Sequence, residues 1–241
     1  MPNDSTFPPF YPHDSIEEII SDVFMVRGTI RMNALMRITR NMAILRHEGQ
    51  VTLINPIRLD EAGLEQLTTL GDVTRIFRIG PMHGVDDPFY IDRYGCELWA
   101  QETSSTYPEL KPDRLIDASS VLPFPNAKLF TFEGILRKES ALLIEREGGL
   151  LLTTDSLQHY GDYRHNNFFA RILMPFTGFP RKMVVGPIWL KMMTPEGGSL
   201  ESEFRRLLEL DFNHFLSAHG SLLRDSAHGA VADAVDRAFS I

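Results

Sequence analysis

The sequence predicts an α/β protein whose two halves each run through a hairpin and a strand into a polar loop, with helices between them. Three observations carry this. Asn41-Met42-Ala43-Ile44-Leu45 and Val51-Thr52-Leu53-Ile54 are apolar runs joined by a tight Glu48-Gly49 turn, which is a hairpin signal. Leu142-Leu143-Ile144 is answered across Gly148-Gly149 by Leu150-Leu151-Leu152, a pair of continuous apolar strands of the kind buried on both faces. Ala227, Ala230, Val231, Ala234, Val235, Ala238 and Phe239 recur at three-four spacing and predict a closing helix.

The remaining elements follow in order. The first dozen residues carry Pro2, Pro8, Pro9 and Pro12 and predict an irregular arm. Residues 16–26 read as an extended or short helical lead-in that Gly28 ends, and Pro56 closes the hairpin after it. Asp60 is placed to cap a helix over about 60–70, with Leu64, Leu67 and Leu70 on one face and Gly71 as its stop. A strand over 73–79 then delivers the chain to Gly80-Pro81-Met82-His83, and a helix or turn near 88–94 precedes the strand that contains Cys96.

In the second half, 127–132 and 140–145 are strands, and a third ends at Asp155. Ser199 or Ser202 caps a helix bearing Leu200, Phe204, Leu207 and Leu208, and a last strand over 212–216 ends at Ser217-Ala218-His219-Gly220. We read 1–241 as one domain, with 156–198, irregular and rich in aromatics, proline and glycine, as a cap-like insertion.

Composition narrows the function classes. Net charge is −8 and no Lys/Arg-rich run occurs, so a nucleic-acid backbone has no electrostatic landing strip. The most apolar region, 168–193, is broken by Arg171, Arg181, Lys182, Lys191 and three prolines, which excludes a spanning helix and predicts no membrane partner. No basic region followed by an apolar stretch opens the chain, and the reading is cytoplasmic. The single cysteine, Cys96, excludes an internal disulfide and reads as a small buried side chain.

Chemistry concentrates where apolar strands end. His83 with Asp86 and Asp87, then Asp155, then His219 each follow such a strand, and strand ends of an α/β sandwich converge at one edge. Two histidines with two or three carboxylates form a nitrogen/oxygen donor set suited to Zn, Fe or Mn. Taken singly, each has an ordinary reading as a turn residue or a hydrogen-bonded loop histidine.

Their order resembles the metallo-β-lactamase superfamily. Residues 41–56 resemble its opening hairpin, and Ile79-Gly80-Pro81-Met82-His83-Gly84-Val85-Asp86-Asp87-Pro88 resembles its H-x-H-x-D-H loop. Gly149 to Asp155 resembles the strand that supplies a bridging aspartate, and Ala218-His219-Gly220 the late His-Gly loop. The resemblance implies a four-layer αβ/βα sandwich. It also implies metal ligands at His83, Asp87, Asp155 and His219. The loop departs from the family at Val85 and Pro88, and no histidine lies near Leu136. With those ligands missing, two adjacent metals are not expected.

Two readings stay open. In one, a single Zn or Fe ion activates water for hydrolysis of a small ester, thioester, lactone or phosphoester, with Asp86 managing the proton. In the other, the fold is non-catalytic and metal-free and binds a small apolar molecule or a protein partner. Arg137 or Lys138 would then balance the carboxylates. Phe168, Phe169, Phe176, Phe179, Met183, Trp189, Met192 and Met193 read as a cap packed on the core or as a homodimer contact. An apolar ligand pocket is the sharper alternative.

Overall fold

Alternating burial along the strands sorts this chain into layers. The computed structural model describes residues 7–240. The first half contains β1 (Glu17–Ile20), β2 (Val23–Arg31), β3 (Arg37–His47), β4 (Gln50–Ile54), α1 (Glu61–Leu70), β5 (Asp72–Arg78), α2 (Asp87–Tyr94), β6 (Glu97–Ala100) and β7 (Arg114–Leu115). Its strands form one sheet in the order β1 to β7, antiparallel up to β4 and parallel beyond it.

The second half contains β8 (Ala127–Thr131), β9 (Ser140–Ile144), β10 (Leu150–Thr153), β11 (Leu157–His159), α3 (Phe168–Leu173), a 3-10 turn (Met174–Thr177) and β12 (Met183–Val185). It closes with α4 (Pro187–Met193), α5 (Glu201–Leu207), β13 (His214–Ser217) and α6 (Ala227–Phe239). The order of its main sheet is β13-β10-β9-β8, with β10 and β13 parallel. β11 and β12 form a separate antiparallel pair.

The period of two along each strand divides the core. Ala43 and Leu45 of β3 face Leu142, Ile144, Leu150 and Leu152 of the other sheet, while Met42 and Ile44 face the layer of α1 and α2. Leu143 and Leu151 point the opposite way, into a cluster with α4, α5 and α6. Two sheets packed face to face with helices outside each give the expected αβ/βα sandwich.

Local signals behave as predicted at several positions. Glu48 and Gly49 both take positive φ, as a two-residue hairpin turn requires. Asp60 accepts a hydrogen bond from the Gly63 N–H at 2.8 Å and starts α1. Cys96 is buried, and burial pushes its thiol up to about 12.

Two expectations change. Gly28 does not end the lead-in: β2 runs through it to Arg31, and a Cβ there would lie 2.6 Å from Ile57 Cδ1, so close packing explains this glycine. The segment 156–198 is also less irregular than its composition suggests. Trp189 on α4 is 1% exposed and packs against Phe132 and Phe204 at ring separations of 5.2 and 5.7 Å, so this part belongs to the core. Phe168, Phe169 and Phe176, in contrast, are exposed.

Candidate metal centre

Strand pairing brings the candidate residues together. Thr153 of β10 and Ser217 of β13 are direct partners in the parallel ladder, so Asp155 and His219, each two residues further on, emerge side by side. His83 arrives on the loop after β5, and the Ser140 N–H holds the start of that loop by donating to the Ile79 carbonyl at 2.8 Å. Asn41 locks the two sheets at this edge. Its backbone N–H donates to the Ala218 carbonyl and its side chain to the Ser217 carbonyl, each at 2.8 Å. Gly220 then turns with φ +85, where any Cβ would lie 2.0 Å from the His159 carbonyl oxygen.

His83, Asp155 and His219 form a cluster whose ligand atoms all lie within 4.8 Å of one another. His83 Nε2 and His219 Nε2 are 3.2 Å apart, and His219 Nε2 is 3.2 Å from Asp155 Oδ1. His219 Nδ1 lies 2.7 Å from the Thr39 carbonyl, to which it donates. That bond leaves Nε2 as the nitrogen turned toward the cluster. His83 Nδ1, 3.6 Å from Asp155 Oδ2, is buried without a hydrogen-bond partner.

The electrostatics are those of a donor set for a cation. Burial lowers the His83 imidazole to about 3, with Asp155 opposing and His219 and Arg40 reinforcing the shift, so it is neutral near pH 7. Burial pushes the Asp155 carboxyl up, but the facing His83 and His219 rings and the Arg40 guanidinium outweigh it and hold the group low, as a carboxylate. Nitrogen lone pairs and a carboxylate oxygen therefore converge, and a proton or a metal ion must lie among them.

The other predicted residues lie outside this cluster. Asp87, at the start of α2, pairs with Arg78 at 2.8 Å, both fully buried, and does not join the ligand atoms of the other three. Burial raises its carboxyl to about 6 against the pull of Arg78 and Arg40. Asp86 is also buried and raised, with Arg40 and the backbone and charge of Arg58 lowering it. Two histidines of the 156–198 segment, outside the predicted set, also lie elsewhere: His159 Nδ1 donates to the Ser221 carbonyl and His165 faces Asp14. Arg137 pairs with Glu102 rather than with the carboxylates of the site.

Sequence reasoning missed two groups. Arg40 on β3 is 2% exposed and lies within electrostatic reach of His83, Asp86, Asp87 and Asp155. It is the charge-balancing cation that Arg137 or Lys138 was expected to be. Glu139, immediately before β9, is fully buried and accepts a hydrogen bond from the Thr154 hydroxyl, with the Trp189 side chain and the Ser156 backbone also lowering its carboxyl. Burial, reinforced by the negative charge of Asp155, raises its carboxyl to about 8. A charged residue leading an apolar strand was the signal for Glu139. For Arg40 there was none.

No protein-family model and no curated protein matches the sequence. Solved structures do match. DIM-1 metallo-β-lactamase exposed to ceftazidime superposes with a TM-score of 0.64 at 10% identity, over 95% of this chain and 100% of that one. The chain has the metallo-β-lactamase fold. FIM-1 from Pseudomonas aeruginosa in its mono-zinc form gives a TM-score of 0.63 at 10% identity, over 96% and 98% of the two chains. TMB-1 gives 0.63 at 10% identity, over 96% and 99%.

By donor chemistry and spacing, the residues present fit one zinc ion. Zinc with nitrogen and oxygen ligands at about 2.0–2.2 Å, tetrahedrally arranged, spaces those ligand atoms roughly 3.3 Å apart. The two separations of 3.2 Å on His219 Nε2 agree with that spacing, and the third side, His83 Nδ1 to Asp155 Oδ2, is wider at 3.6 Å. A second ion does not fit, because Asp87 is bound to Arg78 and Arg40 already supplies positive charge to the same carboxylates.

Proposed function

We propose that this protein is a mononuclear metal-dependent hydrolase of a small ester, thioester, lactone or phosphoester. The observation that carries the proposal is the convergence of His83, Asp155 and His219, with His219 oriented by the Thr39 carbonyl. Zinc or iron held by these three residues would supply Lewis acidity and would acidify a water. His83 contributes a neutral imidazole and Asp155 the one anionic ligand. Thr39 keeps the His219 ring from rotating away. In this reading Asp86 and Asp87 balance Arg40, Arg58 and Arg78 rather than move protons. The mono-zinc form of FIM-1 supports one ion as a workable occupancy of such a fold.

Metal analysis of protein purified without chelator tests the proposal. One equivalent of zinc or iron is expected, together with ester or phosphoester turnover that chelation removes. Less than about 0.1 equivalent, with no uptake on adding either metal, overturns it.

A further inference from the structure

The largest concentration of exposed apolar side chains lies in 168–192. Phe168, Phe169, Ile172 and Leu173 on α3, Phe176 on the 3-10 turn, and Ile188 and Met192 on α4 are each at least 45% exposed. They lie on elements that adjoin in the chain or in space. α3 runs directly into the 3-10 turn, and Gly178 abuts Pro187 at the start of α4, where an added Cβ would lie 2.9 Å from Pro187 Cγ. Ile188 and Met192 are four residues apart on that helix and share a face. The tip of the β2–β3 hairpin extends the patch with exposed Met32 and Leu35, tied to it where the Asn167 side chain donates to the Leu35 carbonyl at 2.7 Å.

Charge says what this surface meets. From Tyr163 to Pro195 the chain carries Arg164, Arg171, Arg181, Lys182 and Lys191 and no acidic residue, within a protein of net charge −8. Arg164 is paired with Asp14. Arg171, Arg181, Lys182 and Lys191 are exposed and form no ion pair with a described residue. Arg171 and Arg181 donate to the Asn166 and Gly161 carbonyls and keep their full charge. Exposed phenylalanine and leucine in one segment with exposed lysine and arginine match the chemistry of an anionic bilayer interface, where apolar insertion and headgroup attraction act together. A second copy docking through the same face would set basic rim against basic rim. We propose that this face docks on an anionic lipid surface. The absence of a helix long and apolar enough to cross a membrane, among the described residues, leaves such peripheral docking open.

The docking face is joined to the candidate centre. The Asn166 side chain accepts from the Thr39 N–H at 2.7 Å, and the carbonyl of Thr39 holds His219. Asn166, two residues before α3, and His219 thus bond the N–H and the carbonyl of the same residue, Thr39.

Vesicle co-sedimentation of the full chain tests the proposal. Vesicles of phosphatidylcholine with about 30% phosphatidylserine are expected to bind at least about tenfold more protein than phosphatidylcholine alone, and added salt should weaken the binding. The double variants F168S/F176S and K182E/K191E should each reduce binding about tenfold while the circular-dichroism spectrum, thermal midpoint and metal content stay at wild-type values. No binding by the wild type overturns the proposal, as does equal binding to both vesicle types or retained binding in either variant. It is also overturned if F168S/F176S leaves vesicle binding intact and instead dissociates a dimer in sedimentation velocity.

Discussion

The Thr39 carbonyl and the His219 imidazole, 180 residues apart in sequence, are joined by a 2.7 Å hydrogen bond that joins the first sheet to the ligand loop of the second. Because Nδ1 donates to Thr39, Nε2 faces His83 and Asp155, each 3.2 Å away. A histidine with one ring nitrogen committed to a carbonyl is oriented as a ligand before any ion arrives, which lowers the cost of assembling the site.

If the proposed ion is held by this triad, removing any of the three should empty the site. Asp155→Ala and His219→Ala are each expected to bring metal content below about a tenth of wild type in elemental analysis. Asp87→Asn should retain the ion, because its carboxylate is engaged by Arg78. Metal loss in Asp87→Asn would restore Asp87 to the ligand set.

The Arg78–Asp87 pair is a stability element. Asp87→Ala leaves a guanidinium that is 1% exposed without its anion and should cost about 3–5 kcal/mol in urea unfolding. The apolar double replacement R78M/D87L should be much closer to wild type, since it removes both buried charges together.

Glu139 should make stability depend on pH. Its carboxyl ionises near 4.5 in an unfolded chain and is raised to about 8 by burial and by Asp155. Between those values the native state holds a proton that the unfolded state has released, so stability falls as pH rises through the window. At roughly 1.4 kcal/mol per pKa unit the loss amounts to a few kcal/mol. Glu139→Gln should match the wild type near pH 4 and be the more stable protein at pH 8, read from thermal or urea midpoints. Parallel pH profiles would show that Glu139 ionises normally.

Trp189 decides how much of the cap-like segment is core. Trp189→Ala should destabilise by about 3–5 kcal/mol, because a ring packed on Phe132 and Phe204 leaves a cavity. A loss near 0.5 kcal/mol in urea titration would mean that α4 is peripheral.

Much of the fold was legible because its signals are local. Asp60 and Gly71 bracket α1 through capping and helix arrest, and the Glu48-Gly49 turn sets the β3–β4 hairpin. The double run of leucines in β9 and β10 reflects strands covered on both faces, Leu143 and Leu151 by helices, Leu142 and Leu152 by the other sheet. Gly28 was misread because a glycine that makes room for Ile57 cannot be told from one that ends a strand.

The candidate centre divides along the same line. By itself the sequence determined that His83, Asp155 and His219 follow strands, and a topology with parallel β10 and β13 makes such positions neighbours. Only the tertiary structure decided that Asp87 turns to Arg78, that Arg40 lies among the carboxylates, and that Thr39 orients His219. Strand periodicity is a property of adjacent residues and survives in one dimension. Charge pairing between a buried arginine and an aspartate depends on which side chains meet across two packed layers, and that is settled only when the layers close.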